Sequence, residues 1–342
     1  MEKTLLIRVD CNPEIASGHL MRSLSIAREA CKQGMKSVFL MSDNTYKKTV
    51  TEQGFEFVNL STDWRKLTLE LPILKKYIGK YKHPILLIDT YSINSEYISE
   101  LKGIIPLIYL GSKKENIGDV DCIINYSSDI DEDFYTRTFP NASHLLGVRY
   151  VPLREEFQRI KISLNEPLKN ILLTTGNTDR PHFIPYFLER IIPLLRRNNI
   201  ICHVIVGRMF DNQEELKMIT TECGLIQLHT GVSDMAPLMQ QCQLAVSANG
   251  TTVYELAACG VPTISFSIAE EQEASGKSLG NKGILRYCGL FEANRDRCIE
   301  KILDNISELI SDDKERISLA AKANEWIDGY GCKYIVNHLK NL

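Results

Sequence analysis

The stretch "EIASGHLMRS", residues 14–23, places His19 directly behind Gly18 at the start of a segment with helical periodicity, and Arg22 three positions further on. A histidine in the first turn of a helix feels the positive end of the macrodipole, which disfavours the imidazolium. A neutral ring can take a proton. His19 is therefore a candidate general base toward water or a hydroxyl, given Asp10 or another carboxylate to orient it. Arg22 would stand one turn later on roughly the same face, where it could meet an anionic ligand. The competing reading is a helix-start histidine satisfied by backbone or solvent.

A second stretch, "LAVSANGTTVYELAACGVPTISF" (residues 244–266), ends an apolar strand at Asn249-Gly250 and opens a short helix at Thr251-Thr252. Free backbone N–H groups and two hydroxyls at a helix start suit a phosphate or diphosphate. Glu255, about one turn inside, could accept hydrogen bonds from the two hydroxyls of a ribose. The same residues also read as an ordinary capped helix with an exposed glutamate. Weaker candidates are Asp89, closing "ILLID", and the turn Thr175-Gly176-Asn177-Thr178-Asp179. His182 reads as incidental. The acidic run "SSDIDEDF" (127–134) reads as a solvated loop, so no metal site is expected.

These motifs lie on a repeating pattern. In the first half "TLLIRVD", "KSVFLMS", "FEFVNL", "ILLIDT", "PLIYL" and "DCIINY" are strand candidates. Residues 19–33 carry Leu20, Leu24, Ala27 and Cys31 at helical spacing before Gly34 stops them. The pattern restarts with "NILLTTG", "CHVIVG", "LIQLHTGV", "QLAVSANG" and "VPTISFSI", with helices over 182–199 and 234–242. After about residue 292 only helices follow. Strand–helix alternation implies α/β architecture with mostly parallel, doubly wound sheets, whose ligands sit beyond the carboxyl ends of the strands. The expected organisation is a first Rossmann-like domain over 1–150 and a second over 168–312. Terminal helices follow over 313–342, with a connection inside "YVPLREEFQRIKISLNEPLKN".

Composition narrows the function classes. The chain has 342 residues, 44% hydrophobic and 24% charged, with a formal charge of −3. No basic stripe invites nucleic acid. No apolar run approaches a membrane span and the N-terminus is unlike a signal peptide, so a cytoplasmic protein is expected. Ten cysteines without a C-x-x-C read as small core residues. Neither G-x-G-x-x-G nor a P-loop occurs, which disfavours nicotinamide or flavin enzymes and P-loop kinases; no cofactor is expected.

The segments "IRVDCNPEIASGHLMRSLSIA", "LLIDTYSI", "DCIINYS", "LLGVRYVPLREEF", "VSANGTTVYELAACGVPTISFSIAEEQ" and "IDGYGCKYIV" resemble, in order and position, the PseG-type UDP-sugar hydrolases of pseudaminic acid biosynthesis. The resemblance implies a GT-B fold, two Rossmann-like domains facing across a cleft, with the last helix crossing back to the first domain. It implies UDP release from UDP-2,4-diacetamido-2,4,6-trideoxy-β-L-altropyranose, or a related UDP-deoxyaminosugar, without a metal. His19 takes the catalytic position beside Gly18. Gly250, Thr251 and Thr252 take the diphosphate positions, Glu255 the ribose position, and Glu271 and Gln272 positions beside the sugar and diphosphate. The chain departs from the family pattern at Ala16, at Asn177, at Glu271, and after Tyr109, where Leu110-Gly111 replaces an Asp-Asp pair. The partner implied is a small-molecule UDP-sugar, with a monomer favoured. Alternatives are a glycosyltransferase using a UDP-sugar donor and a non-catalytic nucleotide-sugar binding module.

Overall fold

The computed structural model describes residues 3–12, 14–15, 18–158 and 167–342. Ala16 and much of the expected connection between the domains lie outside the described residues. The chain divides into two compact units, Met1–Arg154 with Tyr330–Leu342, and Glu155–Gly329.

The first unit is a seven-stranded parallel sheet built from β1 (Thr4–Val9), β2 (Lys36–Met41), β3 (Glu56–Asn59), β4 (Pro84–Asp89), β5 (Leu107–Leu110), β6 (Cys122–Asn125) and β7 (Ser143–Leu146). Its strand order is β3-β2-β1-β4-β5-β6-β7. Its helices are α1 (Gly18–Lys32), α2 (Lys47–Thr51), α3 (Leu71–Ile78), α4 (Ser95–Leu101) and α5 (Glu132–Thr138). Every residue of β1 is buried, because a parallel sheet is covered on both faces and needs a continuous apolar strand. Side chains alternate between those faces. Leu5, Ile7, Ile85 and Leu87 pack with Leu20 and Leu24 of α1 in one core, and Leu6, Leu86 and Ile88 with Leu74, Tyr97 and Ile98 in the other.

The second unit repeats the plan with β8 (Asn170–Thr174), β9 (Ile201–Val206), β10 (Ile226–Thr230), β11 (Leu244–Ala248), β12 (Thr263–Ser267) and β13 (Arg286–Leu290), ordered β10-β9-β8-β11-β12-β13. Its helices are α6 (Phe183–Asn198), α7 (Gln213–Glu222), α8 (Ala236–Gln240), α9 (Thr252–Ala258), α10 (Glu273–Asn281), α11 (Arg295–Ser311) and α12 (Asp313–Trp326). The last helix, α13 (Gly331–Leu339), belongs to the first unit, where Ile335, Val336 and Leu339 join the core under α1.

The sequence pattern left out two strands, β7 and β13. Both are sheet edges with half-exposed residues, Ser143-His144 in one and Arg286-Tyr287 in the other, so neither shows an unbroken apolar run. The expected division at 312/313 also differs from the observed one. Helix α12 packs against α9 and α11 and stays with the second unit, and the chain changes unit only at Gly329/Tyr330. All cysteines except Cys31 are buried. Burial pushes the Cys122 thiol up to about 12, consistent with a packing role.

Candidate functional site

In each sheet the strand order reverses once, between β1 and β4 in the first and between β8 and β11 in the second. The crevice beyond the carboxyl ends of those strands is where doubly wound sheets bind ligands. The sequence candidates cluster at these two places.

At the first switch point, Asp89 closes β4 and faces α1, on the same side as Ile85 and Leu87. His19 lies in the first turn of α1, 7% exposed. Its Nδ1 meets Asp89 Oδ1. Arg22 grips the same carboxylate twice, through Nε to Oδ2 at 2.7 Å and through Nη2 to Oδ1, and Ser23 Oγ donates to Oδ2 at 3.3 Å. Arg22 Nη1 donates to the Tyr126 hydroxyl at 2.9 Å.

Burial opposes the charge on Asp89, but the charge and hydrogen bonds of Arg22, then those of His19, outweigh it and hold its carboxyl below the usual range. An ionised carboxylate only accepts. Nδ1 of His19 must therefore carry the proton, which leaves the lone pair on Nε2. The 3.0 Å approach of Arg22 Nη2 to Nδ1 is then two donors converging on one oxygen.

The orienting carboxylate is thus Asp89 rather than Asp10, which is occupied by Arg8 and Thr90. Arg22, expected to meet an anionic ligand, has its guanidinium committed to Asp89 and Tyr126.

His19 and Arg22 line a cavity of about 470 Å³, together with Tyr91, Lys113, Asn125 and Tyr126. Tyr91 is 59% exposed and stands edge-on to the imidazole, with ring centroids 4.6 Å apart. Its position two residues past the strand-end carboxylate Asp89 was the signal that could have singled it out. Lys113 is tied to its neighbours: its Nζ donates to Ile93 O at 3.0 Å, and the Tyr135 hydroxyl donates to Lys113 O at 3.0 Å. Gly111, also in the lining, has no room for a side chain, since a Cβ there would lie 2.3 Å from the Tyr109 hydroxyl. Gly18 has no such constraint; a Cβ on it would meet nothing within 4 Å.

At the second switch point, β8 runs into Thr175-Gly176 and β11 into Asn249-Gly250-Thr251. Gly176 has φ +88°, a conformation that L side chains rarely adopt, and its amide donates to Thr174 Oγ1 at 3.1 Å. Thr251 occupies the N-cap of α9 without a side-chain capping bond, Thr252 begins the helix, and Glu255 is half-buried in its first turn. Gly250 and Thr251 are exposed. Two buried atoms beside them, Thr175 Oγ1 and Asn249 Oδ1, have no hydrogen-bond partner.

Other expected residues serve the fold. Asn249 Nδ2 donates to Gln272 O at 2.8 Å, and Gln272 Oε1 accepts from Ile268 N at 3.0 Å, so Gln272 braces the turn after β12. Glu271 is exposed. Asp179 accepts from the amides of Phe183 and Ile184, both at 3.0 Å, and anchors the start of α6. Asp131, in the acidic run, caps α5 by accepting from Phe134 N. Among the described residues no group of three or more His, Cys, Asp or Glu could hold a metal ion, and no helix is long and apolar enough to cross a membrane.

A protein-family profile described as "Glycosyl transferases group 1" matches residues 169–312. Among curated proteins, the chain is 25% identical over 274 residues to an uncharacterized protein of Methanocaldococcus jannaschii, covering 76% of this chain and 54% of that one. It is 25% identical over 279 residues to the spore coat polysaccharide biosynthesis protein SpsG of Bacillus subtilis, covering 79% and 80%. Over 153 residues it is 25% identical to the pseudaminic acid cytidylyltransferase and UDP-2,4-diacetamido-2,4,6-trideoxy-beta-L-altropyranose hydrolase of Helicobacter pylori, covering 45% of this chain and 27% of that one. The chain thus spans about half the length of the first relative and about a quarter of the third. Similar solved structures include the UDP-GlcNAc 2-epimerase of Neisseria meningitidis, with TM-score 0.71 and 13% identity over 99% and 100% of the two chains. MurG of Acinetobacter baumannii gives TM-score 0.68 and 14% identity over the whole of both chains. The fold of this chain is that of the GT-B glycosyltransferases, two Rossmann-like α/β units each built on a parallel sheet.

Proposed function

We propose that the protein is a nucleotide-sugar hydrolase that releases UDP from a UDP-linked deoxyaminosugar. The observation that carries this reading is the chain Arg22–Asp89–His19, whose Arg22 and His19 line a cavity, which leaves Nε2 of His19 as the basic atom. Nε2 takes a proton from water as the water oxygen bonds to the anomeric carbon. The bond from that carbon to the diphosphate oxygen breaks, and UDP leaves with the electron pair. UDP is a good leaving group, so catalysis reduces largely to holding water in line and activating it.

The second unit supplies the nucleotide contacts in this reading. The backbone and hydroxyls of exposed Gly250 and Thr251 and of half-buried Thr252 meet the diphosphate, with Gly176 beside them, and Glu255 meets the ribose. The profile match over 169–312 supports a sugar-nucleotide role for this unit, and the Helicobacter pylori relative supports the hydrolytic outcome.

The profile's own description favours a second reading, transfer of the sugar to an acceptor hydroxyl, which His19 would deprotonate in place of water. Incubation with UDP-sugars in ¹⁸O-water separates the two. Hydrolysis puts the label on the free sugar and needs no acceptor; UDP release only when an acceptor is added establishes transfer. Tight UDP binding with no turnover on any donor, with or without acceptor, leaves only a binding module.

A further inference from the structure

The turn after β4 is held from both faces of its sheet. Asp89 is gripped from the α1 side. The next residue, Thr90, faces the other side, where its hydroxyl donates to Asp10 Oδ2 at 2.5 Å and accepts from Ser92 N at 3.2 Å. Asp10 takes Arg8 Nη1, and Arg8 Nε donates to Glu70 Oε1 at 2.7 Å. Glu70 Oε1 also accepts the Tyr97 hydroxyl at 2.7 Å. Arg8 and Glu70 are fully buried and Asp10 is 1% exposed.

Burying three charges is a poor way to stabilise a sheet, since apolar residues of similar size often do as well or better. Arg8 Nη2 is left without a partner, so the network does not satisfy even its own donors. What it does fix is Thr90, whose hydroxyl ties Asp10 to Ser92 and thereby spans Tyr91. Thr90 lies between the carboxylate that orients His19 and the ring that stands against it.

We propose that Arg8, Asp10 and Thr90 are positioning residues, which hold the 89–92 turn so that Asp89 and Tyr91 both address His19. The proposal rests on the hydrolase reading for its kinetic consequence, but its geometric consequence can be read without turnover. A histidine Nδ1–H held by a carboxylate gives a far-downfield proton resonance. In Thr90→Val that resonance is expected to collapse or move toward that of a free imidazole, and kcat for UDP release to fall about tenfold or more with KM little changed. Thr90→Ser, which restores the hydroxyl, is expected to recover both. Asp10→Asn, which keeps the shape and removes the charge, is expected to behave like Thr90→Val. His203→Gln, in the second unit, controls for destabilisation alone and should leave the resonance in place.

A Thr90→Val protein that keeps the resonance and the wild-type kcat overturns the proposal. So does a loss that Thr90→Ser fails to recover. If the wild-type protein releases no UDP while the resonance responds to Thr90 as described, the hydrolase reading fails and the positioning role stands.

Discussion

Asp89 and His19 are seventy residues apart in the chain and share one hydrogen bond, from Nδ1 of the imidazole to a fully buried carboxylate at the end of β4. That contact joins the start of α1 to the end of β4 at the reversal of the sheet. It also decides which nitrogen of His19 is basic.

Asp89→Asn should cost both activity and stability. The imidazole loses the acceptor that fixes its tautomer, and UDP release is expected to fall by about 10²-fold or more, the contribution of a positioned base. Arg22 is left against a neutral amide, and breaking a buried pair typically costs about 3–5 kcal/mol. Steady-state kinetics and denaturant unfolding of one variant check both. Full activity with unchanged stability would mean the contact is idle.

Acid should weaken the fold in two pH windows, histidines first and carboxylates after. His203 and His229 meet through Nδ1 and Nε2 at 3.0 Å in the second sheet, and burial holds both below the ordinary histidine value, His203 further lowered by His229. A group with a lowered folded value favours the folded state while it is neutral. Stability is therefore lost as pH falls below the unfolded histidine value of about 6.5. Asp89 is lowered as well, so its contribution is present above the unfolded carboxylate value of about 3.9 and is lost as pH falls through its folded value. Unfolding followed against pH should show the first loss reduced by a double His203→Gln, His229→Gln variant, with His338, also lowered by burial, supplying the remainder.

Two glycines in the motifs should respond oppositely to alanine. Gly176 has φ +88°, and alanine there should cost about 1–2 kcal/mol. Gly18 lies in open space at the start of α1, so Gly18→Ala should be neutral or stabilising by up to about 1 kcal/mol. Thermal melts of the two variants give the comparison. An activity loss in Gly18→Ala without a stability loss would mark close approach of substrate there.

Glu255→Gln tests the nucleotide contacts independently of the chemistry. Loss of a hydrogen bond to a charged group is worth about 1.5–3 kcal/mol, so UDP affinity should fall at least about tenfold. Calorimetric titration with UDP reads it directly, and unchanged affinity would remove Glu255 from the ribose.

Strand–helix alternation made the two parallel sheets legible, because buried strands must be continuous in apolar residues. Edge strands β7 and β13 escaped for the same reason, being only half covered. His19 was legible as a helix-start histidine after a strand. Its partner was not, because Asp89 and Asp10 both end apolar strands of the first half, and only the pleat decides which one faces α1. Arg22 shows the same limit. A helical spacing places it beside His19, but the carboxylate that neutralises it comes from a strand whose position in the sheet no local pattern reveals.

The central claim is that Nε2 of His19 activates water. The most direct measurement is UDP release by His19→Asn on a UDP-sugar that the wild-type protein hydrolyses, with UDP affinity measured on the same preparation. The account predicts a loss of about 10²-fold or more in kcat with UDP affinity unchanged. Wild-type turnover in that variant would contradict it.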